Sequence, residues 1–168
     1  MKTEPDSNER SRANRALEQW WEGLKDRTGD RALLRRCRSA LEVAACPYFH
    51  HLYRALQGLG YGNGPQLAPA AAVLAHVRRR PEGGERSLAR MMASPRPGTE
   101  RPRVSGLRFR RILVLDNRDD LLMSLVRVVR LLDGAAPVAG LANDIYFWGD
   151  AVKERWAYEY YAAAPQAD

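Results

Sequence analysis

The residues of this chain best suited to chemistry are few, and none forms a complete catalytic set. Asp116, Asp119 and Asp120 lie close together in sequence, and clustered carboxylates can hold Mg²⁺ for phosphodiester cleavage. A two-metal site draws further carboxylates from other elements, however. The run Asp116-Asn117-Arg118-Asp119-Asp120 also reads as a helix start, with an Asp or Asn cap and acidic residues facing the positive end of the dipole. Cys46, His50 and His51 are metal-ligand types, but zinc takes four well-placed ligands, and the only other cysteine, Cys37, forms no CxxC pair. Cys37 falls on an apolar helical stripe, as a reduced, buried thiol in a cytoplasmic protein would. His50 and His51 are adjacent and point to different faces, and His76 has no motif around it. The glycines between Gly58 and Gly64 follow no strand and run into Pro65, which a dinucleotide loop does not do. There is no phosphate loop, nucleophile elbow or HExxH pattern. No catalytic residue, metal or cofactor is expected.

Charge is more informative. The chain carries a formal net charge of +7, with 24 Arg against 3 Lys. Eleven arginines and three glutamates fall between Arg78 and Arg111, giving +8 over 34 residues, while the remaining 134 residues sum to −1. A GC-rich coding bias explains Arg in preference to Lys but not this localisation. Concentrated guanidinium charge implies binding to a polyanion.

These residues must be positioned by helices. Sustained period-2 alternation is absent and apolar positions recur at three and four, which predicts an all-α fold. A first helix is expected over about 8–27, with Ala13, Ala16, Leu17, Trp20, Trp21 and Leu24 on one stripe, and Thr28-Gly29-Asp30 is expected to stop it and cap the next, Asp30 accepting from the free N–H groups. The second helix is expected to turn Leu33, Leu34, Cys37 and Leu41 inward. Pro47 opens a third helix, and an Ala-rich fourth runs to about Arg80. A short helix is expected around 87–93. Three prolines and a glycine within 94–104 predict an exposed linker between two small bundles, an N-terminal lobe at 11–93 and a C-terminal lobe at 105–162, with flexible ends at 1–10 and 163–168. Beyond the linker, one helix is expected over about 105–115 and another from the start at 116–120 to Gly134. A last helical region follows Pro137, with Gly149 as a possible kink. No stretch is long and apolar enough to predict a membrane span, and no secretory signal is visible.

Several of these segments resemble the CasB family, the small subunit of the type I-E CRISPR surveillance complex Cascade. They are the run from Val104 to Asp116 (VSGLRFRRILVLD), Arg118-Asp-Asp-Leu-Leu122, Tyr146-Phe-Trp-Gly-Asp150 and Arg155-Trp-Ala-Tyr-Glu-Tyr-Tyr161. Upstream, Trp20-Trp21, the run from Gly29 to Arg36 and Ser87-Leu-Ala-Arg90 occur in matching order. The resemblance implies an all-α, non-enzymatic subunit of two small bundles. Its expected partners are the other Cascade subunits with guide RNA, target DNA including the displaced strand, and a second copy of itself. On matching positions it points to Arg36, Arg90, Arg108 and Arg118 as nucleic-acid contacts, supported by Arg35, Arg103, Arg110 and Arg111. Guide–target exchange is nearly balanced in energy, so backbone contacts to an opened strand can tip it.

Two other classes are compatible with parts of the sequence. The short turn at Asp116-Asn117 between two helices would suit a sequence-specific helix-turn-helix regulator, although the following helix is mainly aliphatic. A scaffold whose arginines merely solubilise it is the third.

Overall fold

The computed structural model describes residues 4–166 and is all-α, as the periodicity predicts. Ten α-helices occur among the described residues: α1 (Ser7–Gly23), α2 (Thr28–Arg36), α3 (Ala40–Ala44), α4 (Pro47–Gln57), α5 (Gly64–Leu74), α6 (Leu88–Ala93), α7 (Gly106–Leu113), α8 (Arg118–Leu131), α9 (Val138–Tyr146) and α10 (Asp150–Ala163). Short polar side chains start most of them. Asp6 and Glu9 form a reciprocal capping box on α1, and Ser39, Asn63, Ser87, Ser105 and Asn117 each accept a backbone N–H at the start of α3, α5, α6, α7 and α8.

Helix α5 is the axis of the molecule. Every residue from Leu67 to Leu74 is buried, as expected of a helix apolar all round, and α2, α3, α4, α8 and α9 pack against it. Because α8 and α9 share α5 with the N-terminal helices, and α1 also packs on α9, the segments on either side of 94–104 contribute to one continuous buried cluster. The 94–104 stretch is a mostly exposed loop held by backbone hydrogen bonds. Arg96 N–H donates to the Arg101 carbonyl, Arg103 N–H to the Ser94 carbonyl and Val104 N–H to the Met92 carbonyl.

The polar atoms of the buried aromatic side chains find partners inside this core. Trp20 Nε1 donates to the Tyr48 carbonyl while Tyr48 OH donates to the Trp20 carbonyl, and Trp21 Nε1 donates to the Val77 carbonyl. In the C-terminal part, Phe109 stacks on Tyr160 with centroids 4.0 Å apart, and Tyr160 OH donates to the Val104 carbonyl. Asp144 is buried between Arg155 and Trp156 Nε1. Its burial raises its pKa, opposed by those two partners.

Several sequence expectations are corrected. The second helix stops at Arg36 because Cys37 turns to extended backbone and Ser39 caps a new helix. The phase therefore resets, leaving Leu33 47% and Leu41 82% exposed instead of inward. Arg27, not Asp30, occupies the cap of α2. Helix α5 ends near Leu74, so Arg78–Arg80 lie beyond it. The last helical region is two helices broken at Gly149, although Leu141, Ile145, Trp148, Val152, Trp156 and Tyr160 are all buried. Helix α1 begins at Ser7, inside the expected flexible start, while residues 1–3 and 167–168 of the expected flexible ends lie outside the described residues.

Arg118 is built into this framework. Its Nε donates to the Ile145 carbonyl and its Nη2 to the carbonyls of Tyr146 and Trp148, satisfying acceptors at the α9 end that helix geometry leaves orphaned. Arg118→Ala strands those acceptors, and we expect a loss of about 2–3 kcal/mol, read as a lowered urea midpoint at unchanged m-value. An unshifted midpoint would contradict the assignment.

Candidate nucleic-acid interface

Three surface clefts adjoin one another along one side of the molecule. The first is lined by Thr28, Arg31, Ala32, Arg35 and Arg78, with a volume of about 470 Å³. The second shares Arg35 and Arg78 with it, adds His76, Val129, Arg130, Asp133 and Gly134, and holds about 370 Å³. The third, of about 500 Å³, shares Arg130 and runs between α7 and α8 past Arg127, Ser124, Arg111 and Arg108. Shared residues link the three, so seven arginines from α2, the segment after α5, α8 and α7 form one connected cationic track.

The track depends on a local clasp. Beyond α5 the chain lies beside the turn that ends α8, where Arg78 N–H donates to the Gly134 carbonyl at 2.8 Å and Ala136 N–H donates to the Arg79 carbonyl at 3.3 Å. Gly134 has φ +81, and a Cβ there would meet the Arg78 side chain at 3.2 Å, so glycine permits both the turn and the approach. This join brings Arg78 beside Arg130 and across from Arg35.

Most track arginines are unpaired. Among the described residues, ion pairs reach Arg27, Arg79, Arg80, Arg103, Arg155 and Lys153, and none reaches Arg35, Arg78, Arg108, Arg111, Arg127 or Arg130. Arg31 is fixed by Nε to the Ala75 carbonyl and Nη2 to the Val77 carbonyl. Its pKa is lowered by burial first and by Arg35 and Arg78 next. Arg80 is withdrawn elsewhere, stacked on Trp21 and paired with Glu18 and Glu22.

The eight arginines singled out from sequence are thus divided. Arg35, Arg108 and Arg111 line the track. Arg36, Arg90 and Arg110 are exposed but line none of its clefts, and Arg110 Nη1 lies 3.4 Å from Tyr161 OH. Arg103 pairs with Asp133 at 3.3 Å and lines a neighbouring cleft with Arg79. Arg118 is held by the α9 carbonyls. Of the track arginines, Arg31, Arg78, Arg127 and Arg130 are not among the eight. The signal available for the α8 pair was spacing alone, Arg127 and Arg130 standing three apart on the polar side of a helix whose other face is aliphatic.

Groups with other possible chemistry have structural partners. Asp116 pairs with Lys153 at 2.6 Å, and Asp119 accepts the Ala40 N–H at the start of α3. His50 Nε2 lies 2.7 Å from the Ala44 carbonyl. The Cys37 and Cys46 sulfurs are buried 3.6 Å apart, and burial first pushes the Cys37 thiol up to about 12. Among the described residues no three His, Cys, Asp or Glu converge in a way that could hold a metal, and no helix is long and apolar enough to cross a membrane. The helix-turn-helix expectation is not met. The first turn of α8, which a recognition helix would present to bases, is tied to α3 through Asp119 and to α9 through Arg118.

Fold and site together define a small helical protein whose distinctive surface is an arginine track. Residues 30–161 match the family described as CRISPR-associated protein Cse2. The chain belongs to that family, the small subunit (CasB) of the type I-E Cascade complex, which bears out the resemblance seen in its sequence. It is therefore a CRISPR Cascade subunit, with the other Cascade subunits as partners. No curated protein and no solved structure matches the chain.

The second cleft also makes a prediction about stability. His76 is only 8% exposed; burial first, then Arg35, Arg130 and Arg31, hold its pKa down at about 4, against an ordinary 6.5. The unfolded chain takes up this proton as pH falls through about 6.5, whereas the folded chain refuses it until about 4. The unfolded state thus binds more protons between those values, and stability declines as pH is lowered through the window. His76 accounts for as much as about 3 kcal/mol of that decline. His76→Gln should flatten the difference in denaturation free energy between pH 7 and pH 4.5 relative to the parent protein; identical pH dependence in both would contradict it.

Proposed function

We propose that this subunit holds nucleic-acid backbone without reading sequence and without catalysing a step of its own. It steadies the opened target and displaced DNA strands while guide RNA pairs with its target in the cytoplasmic complex. The observation carrying this reading is the continuous track from Arg31 to Arg108, on which most guanidinium groups have no carboxylate partner. Guanidinium forks match phosphate oxygens bidentately and do not distinguish bases when directed at the backbone. The exchange of one duplex for another is close to thermoneutral, so a modest contribution from such contacts decides its yield.

In this reading Arg35, Arg108 and Arg111, with Arg78, Arg127 and Arg130, form the principal contact. Arg36, Arg90, Arg103 and Arg110 flank it and meet strands that leave the track. Arg118 is a positioning residue, acting through the α9 end. A second copy of the subunit beside the first extends the track along the complex. The absence of a catalytic role is supported by the structural bonds that engage Asp116, Asp119 and His50.

Two measurements test this. Binding of the full chain to a single-stranded oligonucleotide should show little sequence preference. If about five phosphates are neutralised, log K should fall by about 3.5 per decade of salt. A flat salt dependence would remove the reading. Combined Arg111→Glu and Arg127→Glu should weaken binding by at least about tenfold and reduce the salt slope, and should lower R-loop yield in Cascade reassembled with guide RNA. The charge-matched pair Arg12→Glu and Arg15→Glu, exposed on α1 and lining none of the three clefts, should not; equal losses from both double variants would show that net charge, not the track, is responsible.

A further inference from the structure

The middle cleft of the track differs in chemistry from its neighbours. The α7–α8 groove is cationic through arginines alone, which remain charged at every accessible pH. The middle cleft instead has a histidine in its wall, surrounded by cations from three directions. Arg31 and Arg35 face it from α2, Arg78 from the segment that follows α5, and Arg130 from α8. The one acidic group at its edge is Asp133, just beyond α8, whose Oδ2 lies 3.3 Å from Arg103 Nη1. Every nearby charge except Asp133 therefore opposes a proton on His76, and Asp133 is engaged by another cation.

We propose that this cleft seats one phosphodiester group among Arg35, Arg78 and Arg130, and that its arrival draws a proton from solvent onto His76, making occupancy of the seat proton-linked. The inference rests on the polyanion-binding reading above and deepens it by assigning a site and a regulation within the track. The geometry supports both parts. Three unpaired guanidinium groups from three separate chain segments converge on a cavity of about 370 Å³, ample for a phosphate and its ester oxygens. The ring that borders them is the only imidazole on the track. A bound phosphate places negative charge among the guanidinium groups and offsets part of the positive potential that they set up at the ring. The protonated ring, otherwise excluded by burial and three cations, then becomes a further donor to the same anion. By linkage, a ligand that raises proton affinity is itself bound more tightly as protons become available.

The probe is an oligothymidylate, whose bases do not titrate in the acid range, added to the full-length protein. Two readouts are taken: its affinity between pH 7.5 and pH 5.5 at fixed ionic strength, for the parent and for His76→Gln, and the imidazole titration of His76 by NMR in the parent with and without ligand. We expect the parent to gain about threefold or more in affinity over this range relative to the variant, and the His76 titration to move upward when oligothymidylate is bound. If the oligonucleotide binds with a steep salt dependence, but the two proteins share one pH profile and the His76 titration stays in place, the proton-linked seat is overturned while the broader reading survives. Should the oligonucleotide fail to bind at all, inorganic pyrophosphate replaces it in the NMR titration. An upward move of His76 then supports the seat and removes the nucleic-acid reading, whereas an unmoved ring removes both. The NMR readout on the parent protein does not depend on the folding of any variant.

Discussion

Two backbone hydrogen bonds, from Arg78 to Gly134 and from Ala136 to Arg79, decide where this protein's positive charge is felt. They fasten the chain leaving α5 to the turn that closes α8. Helix α5 is buried along its length and cannot itself present arginines, so its continuation must emerge at the surface beside another element. Because that element is the end of α8, Arg78 and Arg130 come together and Arg35 on α2 closes the group. Without the clasp Arg78 would lose its place between Arg35 and Arg130.

Gathering like charges has a thermodynamic cost in the free protein, because each raises the potential at the others. The molecule distributes its carboxylates accordingly. Glu18 and Glu22 neutralise Arg80, Asp144 and Glu159 neutralise Arg155, and Asp133 turns to Arg103, which leaves the track itself without compensation. A polyanion, the ligand proposed above, would relieve the repulsion that the fold imposes on such a surface. Arg118 shows the opposite use of the same side chain, as an internal bracket for carbonyls at a helix end. Residue type alone does not separate the two uses; only the positions of neighbouring acceptors do.

Much of the architecture was legible in the sequence. Recurrence of apolar residues at three and four placed nearly every helix, and the start of α6 at Ser87, the entry of α4 at Pro47 and the break near Gly149 follow from local chemistry. The concentration of charge between Arg78 and Arg111 was legible too. What escaped was long-range. Helix α2 ends because Cys37 leaves helical geometry and Ser39 caps a second helix, and no glycine or proline announces it, so helical spacing carried past Arg36 turns Leu41 inward where the structure exposes it. Arg35, Arg127 and Arg130 lie outside the dense basic segment and join it only through tertiary contact, while Arg80, inside that segment, is drawn away to Glu18 and Glu22. A count of charge along the chain locates the surface but not its members.

Arg31 gives the track one further property. Its guanidinium is anchored by the carbonyls of Ala75 and Val77 while its outer face still borders the first cleft. A free arginine surrenders about 2 kcal/mol of rotamer freedom when it is immobilised. At Arg31 that surrender happens during folding, when the side chain completes the end of α5. Under the proposed function an incoming strand would meet a charge already fixed in place, a rigid starting point from which the looser arginines farther along would be recruited one after another.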